Sequence, residues 1–400
     1  MLRQAIILAG GRGTRLGERT SCLPKPMLPA GDRPFLETVV RHLAFFNLRK
    51  ILLVTGYLSD AIERHFGDGS KWGVRIDYAR ERELAGTGGF LRLFTEMLDD
   101  RFLLLNGDTL FDINILDLAA CQSNRGTLCA MALRRVEDTA RYGAVQVEGE
   151  RVTGFSEKAR GSAGVINGGI YVLDRRAAEY ATSVPCSLEK DLLPRMVADG
   201  RVCGRVYDGF FIDIGIPSTL ESAQRSVPAW WRKPIAFLDR DGVINKDRGY
   251  THAPEQFEWI DGAPEAIRLL NEAGYRVVAV TNQAGIARGY YDEDTFHRFM
   301  DWIHDALQPY GARIDAVYYC PHHPTEGQGK YRTACDCRKP APGLLQQALA
   351  DFEPDPNGCF LIGDKASDLQ AAESAGIKGH LFLAHENLAD FVRTILGENR

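Results

Sequence analysis

Three groups of residues in this 400-residue chain have types and spacings suited to chemistry. The first is Asp239-Arg240-Asp241-Gly242, directly after the apolar run Ala236-Phe237-Leu238. Two carboxylates two residues apart at a strand end can divide a reaction. One attacks phosphorus; the other gives and then takes a proton. Downstream, in order, come Thr281-Asn282, Arg338-Lys339, Gly363-Asp364 and Asp368. Thr281 can hydrogen-bond a phosphoryl oxygen, and Lys339 can balance its charge. A Mg²⁺ on Asp239, Asp364 and the backbone oxygen of Asp241 would offset the repulsion between a carboxylate and a phosphate ester. Lys365 either braces these aspartates or faces solvent.

The second group opens the chain. Ala9-Gly10-Gly11-Arg12-Gly13-Thr14-Arg15 follows the apolar run AIIL, and Lys25 stands between Pro24 and Pro26. Glycines let several backbone N–H groups point at phosphate oxygens, and Arg15 and Lys25 add fixed charge. The third glycine of the dinucleotide fingerprint is missing, so this is not a Rossmann dinucleotide turn. Asp108 in LLNGDT and Asp213 in FIDIGIP end two further apolar runs. Such a pair can fix a second Mg²⁺ between two polyanions.

The third group is Cys320-x-His322 and Cys335-x-Cys337, two ligand pairs twelve residues apart. Thiolates and an imidazole at this spacing suit tetrahedral Zn²⁺, and four protein ligands leave no open position, so the site is expected to be structural. His323 is the neighbouring alternative to His322. The chain has nine cysteines, and several others stand singly in apolar context, such as Cys129, Cys203 and Cys359. That usage fits a reducing compartment.

The elements that must position these groups read as α/β. Short apolar runs (AIILAG, KILLVTG, FLLLNGD, AFLDRDG, RVVAVTN, CFLIGDK) alternate with helical patterns such as APEAIRLLNEAGY. Such runs, bounded by Gly and Asp, suit buried parallel strands. The pattern breaks at SVPAWWRKP, which predicts two domains, 1–228 and 234–400, joined by residues 229–233. The formal charge of -5 weighs against a nucleic-acid partner. No 18-residue apolar run predicts a membrane span, and the short apolar start is unlike a signal peptide, so a cytoplasmic location is expected. Oligomeric state is not written in these patterns.

Residues 1 to about 225 resemble the sugar-1-phosphate nucleotidyltransferases, through the glycine-rich turn and Pro24-Lys25-Pro26. The resemblance implies a Rossmann-like, GT-A-like mixed sheet. It places Ala9, Gly10, Gly11, Gly13, Thr14 and Gly86, of Gly86-Thr87-Gly88-Gly89, on the nucleotide. It gives the Mg²⁺ to Asp108 and Asp213, and transition-state charge to Arg15 and Lys25. It places Gly143, Glu157, Lys158 and Asn167 on the sugar phosphate. The segment ELAGTGGF departs from the family's more frequent Pro-Leu before GTGG, so it leaves the base open.

Residues 234 to about 385 resemble the haloacid-dehalogenase-like phosphatases. The implied fold is a capless Rossmannoid domain with a zinc loop, and no long insertion between Asp241 and Thr281 leaves room for a cap. FLDRDGVIN, GYTH, TNQAGIARG, YYCPHHP, CDCRKPAPG and GDKASD narrow the likeness to the D-glycero-D-manno-heptose 1,7-bisphosphate 7-phosphatases and the related histidinol-phosphate phosphatases. There Asn282, Arg288, Arg338 and Lys339 would stand at the substrate phosphates. Together the two resemblances imply an enzyme that makes heptose 1-phosphate from the bisphosphate and joins it to GMP from GTP. The anomer implied is α, and nucleotide-activated heptose of this kind usually feeds surface polysaccharide such as lipopolysaccharide. The sequence also admits a hexose-1-phosphate guanylyl- or uridylyltransferase fused to a histidinol-phosphate-type phosphatase, or a half that only regulates.

Overall fold

The computed structural model describes residues 2–139, 144–156, 162–383 and 385–398. Gly143, Glu157 and Lys158, expected on the sugar phosphate, lie outside them. The chain divides into two compact units, Met1–Pro228 and Ala229–Arg400. Residues 229–231, expected in the connecting segment, close the helix Pro217–Trp231.

The first unit is built on β1 (Gln4–Leu8), β2 (Lys50–Thr55), β3 (Arg75–Arg80), β4 (Arg101–Asn106), β5 (Thr109–Phe111), β6 (Cys129–Val136), β7 (Ala144–Glu148), β8 (Arg151–Ser156), β9 (Gly164–Asp174), β10 (Val202–Val206) and β11 (Phe211–Asp213). Nine of these form one sheet in the order β3-β2-β1-β4-β9-β6-β10-β8-β7. β3, β2, β1 and β4 run parallel, and β9 enters antiparallel to both β4 and β6. β4 reads Phe102-Leu103-Leu104-Leu105, all buried, because both faces of the sheet are covered. β11 and β5 make a separate antiparallel ribbon.

The sheet is mixed, as expected, but its antiparallel half was not visible as apolar runs. β7 and β8 form a half-exposed hairpin with alternating burial, a weaker signal than a buried parallel strand.

The second unit carries β12 (Ile235–Leu238), β13 (Arg276–Asn282), β14 (Ala316–Cys320), β15 (Phe360–Gly363) and β16 (Lys378–Leu381), all parallel, in the order β14-β13-β12-β15-β16. The chain leaves β12 to one side for β13 and later returns to its other side for β15. That crossing point opens a crevice at the strands' carboxyl ends. β1 stands in the same relation to β2 and β4 in the first unit. Helices Ala263–Glu272 and Glu293–Leu307 bury Ile267, Leu270, Phe296 and Ile303 in the core of the second unit. Among the described residues no helix is long and apolar enough to cross a membrane.

Candidate active sites

In the second unit, β12 delivers Asp239, β13 ends with Thr281 and Asn282, and β15 delivers Asp364. The residues from β12 and β13 reach one crevice, a cavity of about 450 Å³ lined by Asp239, Asp241, Thr281, Arg288, Arg338 and Lys339 among others, and Asp364 stands behind it beside Asp239. Lys339 Nζ lies 2.9 Å from Asp239 and 2.7 Å from Asp368, and donates to the Val280 carbonyl. Burial pushes the Asp239 carboxyl up, to about 6, against the pull of Lys339. The neighbouring carboxylates raise Lys339 despite its burial.

Asp241 is held by three groups. Arg240, fully buried, pairs with it at 2.7 Å and lies over the rings of Phe296 and Phe299. Asn245 Nδ2 donates to it at 2.9 Å, and Gln283 Nε2 at 3.2 Å. Gln283 also donates to the Thr281 hydroxyl at 2.7 Å and accepts from Tyr291. The Thr281 proton is therefore left to donate elsewhere.

Asp239, Asp364 and Asp368 present carboxylate oxygens within 4.8 Å of one another. Asp364 Oδ1 is buried with no hydrogen-bond donor, and burial raises its carboxyl. A dense group of acids with an orphaned oxygen fits a divalent cation. Gly242, at φ 102, lets the chain pass this group: a Cβ there would lie 2.3 Å from Asp364 Oδ2. The Asp241 side chain is not part of the group, which suits a ligand role for its backbone oxygen alone.

Asn282 lines the cavity, but its amide is tied to Lys339. It accepts from Lys339 N and donates to Lys339 O. It positions the lysine. Lys365 lines the cavity and pairs with Asp247 and Asp364.

The Cys/His group closes as the spacing predicts. Sγ of Cys337 is 3.1 Å from those of Cys320 and Cys335 and 3.4 Å from His322 Nδ1. Cys320 lies 3.5 Å from Cys335. Zn–S bonds of about 2.3 Å in a tetrahedron would set such pairs about 3.8 Å apart. The cluster is compatible with zinc. His323 is turned away: its Nδ1 accepts from Glu326 N, and it lines the crevice. Arg338, just after the last cysteine, donates to the His322 carbonyl, which joins the Cys/His loop to the crevice.

In the first unit a cavity of about 480 Å³ opens at the ends of β1, β2 and β4. Ala9, Gly10, Gly11, Gly13, Thr14, Arg15, Lys25, Gly86 and Asp108 all line it. Lys25 pairs with Asp108. Asp213 lies across the β5–β11 ribbon, in register with Thr109, and Ile214 N donates to the Asp108 carbonyl. Asp108, in the turn between β4 and β5, is thereby tied to the segment that follows Asp213 at the end of β11; both are oxygen donors of the kind Mg²⁺ takes, but Asp213 is not a lining residue of the cavity.

Gly86 and Thr87 line the cavity, and Gly86, Gly88 and Gly89 all pack against the 184–188 segment. Asn167 is not a lining residue; its side chain donates to Tyr171 and accepts from Gly169 N. Glu81, which the motif reading missed, also lines the cavity. It follows β3 in no recognisable pattern, so only its position reveals it.

The nucleotidyl transferase family model matches residues 4–229. The chain belongs to the nucleotidyl transferase family. The HAD-hydrolase-like model matches residues 336–389, behind the nucleotidyl transferase region. Among curated proteins, the D-glycero-beta-D-manno-heptose-1,7-bisphosphate 7-phosphatase of Pasteurella multocida is 51% identical over 146 residues, 36% of this chain and 79% of the relative. The D-glycero-alpha-D-manno-heptose-1,7-bisphosphate 7-phosphatase of Burkholderia mallei is 48% identical over 141 residues, 35% of this chain and 75% of the relative. Among solved structures, HddC from Yersinia pseudotuberculosis complexed with GMP-PN aligns with TM-score 0.51 and 28% identity, over 56% of this chain and all of that one. The nucleotidyl transferase unit and a phosphatase unit are thus joined in one chain.

Proposed function

We propose that the chain removes the 7-phosphate of D-glycero-D-manno-heptose 1,7-bisphosphate and joins the resulting heptose 1-phosphate to GMP from GTP, giving GDP-heptose and pyrophosphate. One observation carries this reading: two separate crevices on one chain, of families in which the product of one reaction is the substrate of the other. The relatives named for heptose bisphosphate support the first step. The HddC neighbour with a guanine nucleotide supports the second.

In the phosphatase crevice, Asp239 is placed to attack phosphorus at the C7 ester. Asp241, oriented by Arg240, Asn245 and Gln283, would give a proton to the leaving C7 hydroxyl and then take one from the water that cleaves the aspartyl phosphate. Thr281 and Lys339 would hold the phosphoryl oxygens. Mg²⁺ held by Asp239, Asp364 and the Asp241 backbone oxygen would supply charge neutralisation. Arg288 and Arg338 at the crevice are the cations we assign to the second phosphate. The Cys/His loop is assigned structural zinc.

In the other cavity the Gly10–Thr14 turn would cradle the nucleotide phosphates. Arg15 and Lys25 would balance the charge as a sugar phosphate oxygen attacks the α-phosphorus and pyrophosphate leaves. Asp108 and Asp213 would hold Mg²⁺, which would supply charge neutralisation between the two anions. Gly143, Glu157, Lys158 and Asn167 are proposed for the sugar side, Asn167 through the turn it braces. We assign domain limits of 1–228 and 234–400 and a cytoplasmic setting, with small-molecule partners only.

The test is incubation with α- and β-heptose 1,7-bisphosphate and each of the four NTPs, with mass detection of the nucleotide sugar. GDP-heptose, formed preferentially from the α-anomer, is expected. Hydrolysis of histidinol phosphate with transfer to a hexose 1-phosphate would overturn the reading.

A further inference from the structure

Arg288 lines the phosphatase crevice, with its guanidinium 5.6 Å from the centre of the Tyr250 ring. Its Nη2 pairs with Glu326. Its Nε is buried and, among the described residues, has no hydrogen-bond partner. Nε and Nη2 form one edge of the guanidinium, a fork that matches two oxygens of one anion. Glu326 therefore takes a single prong and leaves the inner one bare. The Glu326 side chain is 51% exposed against 27% for Arg288, and Glu326 is not a lining residue of the crevice. The carboxylate thus meets the arginine from the water side, where an ion pair contributes little and exchanges easily.

The loop that carries Glu326 is fastened without this pair. Gln328 N donates to the Ala287 carbonyl at 2.7 Å, and Gln328 Nε2 to the Arg288 carbonyl at 3.1 Å. Glu326 N itself donates to His323 Nδ1 at 3.0 Å. The carboxylate can release Arg288 while the loop stays docked. We propose that Glu326 is a mask: it holds Arg288 between turnovers and yields it to the second phosphate of the substrate, which takes both prongs. The proposal rests on the bisphosphate reading of this crevice and adds a residue that sets how tightly substrate and product are held. A dianionic phosphate brings more charge and a second oxygen, so it displaces the carboxylate. A monophosphate ester that reaches only Asp239 does not. The mask weakens binding in proportion to the time Arg288 is covered. The product keeps the same phosphate, so the returning carboxylate competes with it and speeds its departure. Acting on substrate and product alike, the mask belongs in KM and product inhibition rather than in the chemical step.

The test is a double-mutant cycle on the full chain, with Glu326→Gln, Arg288→Gln and both together. KM is measured for heptose 1,7-bisphosphate and for heptose 7-phosphate, which lacks the second phosphate. Glu326→Gln should lower KM for the bisphosphate by roughly 3- to 10-fold, with kcat no higher. KM for the monophosphate should move by less than about 2-fold, because screening blunts a distant charge. Inhibition by heptose 1-phosphate should tighten by the same factor as the bisphosphate KM. Arg288→Gln should raise the bisphosphate KM roughly 10- to 100-fold, and adding Glu326→Gln to it should change nothing further. Thermal unfolding shows whether each variant is folded. An unaltered bisphosphate KM in folded Glu326→Gln, an equal gain for the monophosphate, or the same gain in the Arg288→Gln chain overturns the proposal. If the unaltered chain does not hydrolyse heptose 1,7-bisphosphate, the substrate reading falls instead. The mask is then decided by calorimetry with fructose 1,6-bisphosphate. Glu326→Gln must tighten its binding in the otherwise unaltered chain and not in the Arg288→Gln chain; any other result overturns the proposal.

Discussion

The Lys339 ammonium stands 2.9 Å from the Asp239 carboxylate, with the two side chains only 2% and 9% exposed. The nucleophile we assign is thus paired with a cation in a nearly dry setting, where removing either partner leaves charge without compensation. Asp239→Asn keeps the shape and removes the attacking oxygen. Phosphate release from heptose 1,7-bisphosphate should fall by about 10⁴-fold or more, while nucleotidyl transfer from supplied heptose 1-phosphate continues. Phosphate release and GDP-heptose, followed in parallel, check this. Loss of both activities in a folded variant would contradict two separate sites.

Asp108→Asn should show the reverse pattern. It removes a charge we assign to Mg²⁺ and loosens Lys25. Transfer should drop by roughly 10²-fold or more, with phosphate release unchanged. Pyrophosphate detection reads the first effect. Transfer at the unaltered rate would remove Asp108 from the site.

Zinc depletion should act on one activity only. A zinc-selective chelator, followed by restoration of Mg²⁺, should slow phosphatase turnover and lower the unfolding midpoint of the second unit. The reason is the Arg338 hydrogen bond to the His322 carbonyl: disorder in the loop frees a cation from the crevice. Cys335→Ser should mimic depletion. Turnover indifferent to zinc content would separate the loop from the chemistry.

Glu81 also predicts a stability effect. Its carboxyl is raised to about 7 from 4.5, chiefly by burial. The folded chain therefore holds this proton more tightly than the unfolded chain, and stability from this group declines as pH rises from about 4.5 to 7. Glu81→Gln should flatten that part of the stability curve without ligand. Thermal midpoints at pH 5 and pH 8 give the comparison; equal slopes for both chains would count against a raised carboxyl.

Gly86 carries a φ of 79°, and a Cβ there would meet the Cys186 carbonyl at 2.4 Å. Gly86→Ala should destabilise the first unit by about 1–3 kcal/mol from backbone strain alone, more with the clash. Differential unfolding should leave the second unit's transition in place.

Much of this was legible because parallel strands bring their carboxyl ends together. Asp239, Thr281 and Asp364 end the neighbouring strands β12, β13 and β15, so their order in sequence already implies a meeting point. Cys320, His322, Cys335 and Cys337 were legible for another reason, since close spacing within one loop needs no tertiary pairing. Gln283, Tyr291 and Arg240 were not. Their partners are distant side chains, and an amide or a buried guanidinium has no sequence signature of its own. Asn167 shows the converse: the motif is visible in the sequence, but not that its side chain donates to Tyr171 and accepts from Gly169 N. The insertion of β9 between β4 and β6 was equally invisible, because long-range antiparallel pairing leaves no local mark.

Arg240 has a consequence for how such a crevice can change over time. The groups that hold Asp241 are sealed inside: Arg240 and Asn245 are both fully buried and Gln283 nearly so. Tyr250 and Tyr290, by contrast, stand 40% and 55% exposed, with Tyr250 on the crevice wall beside Arg288 and in edge contact with Tyr290. Substitutions at the outer rings would alter which phosphate ester is admitted while the proton relay behind them keeps its geometry. A lineage could therefore exchange one sugar or alcohol for another by drifting at the rim, with no intermediate that has lost the ability to cleave phosphate.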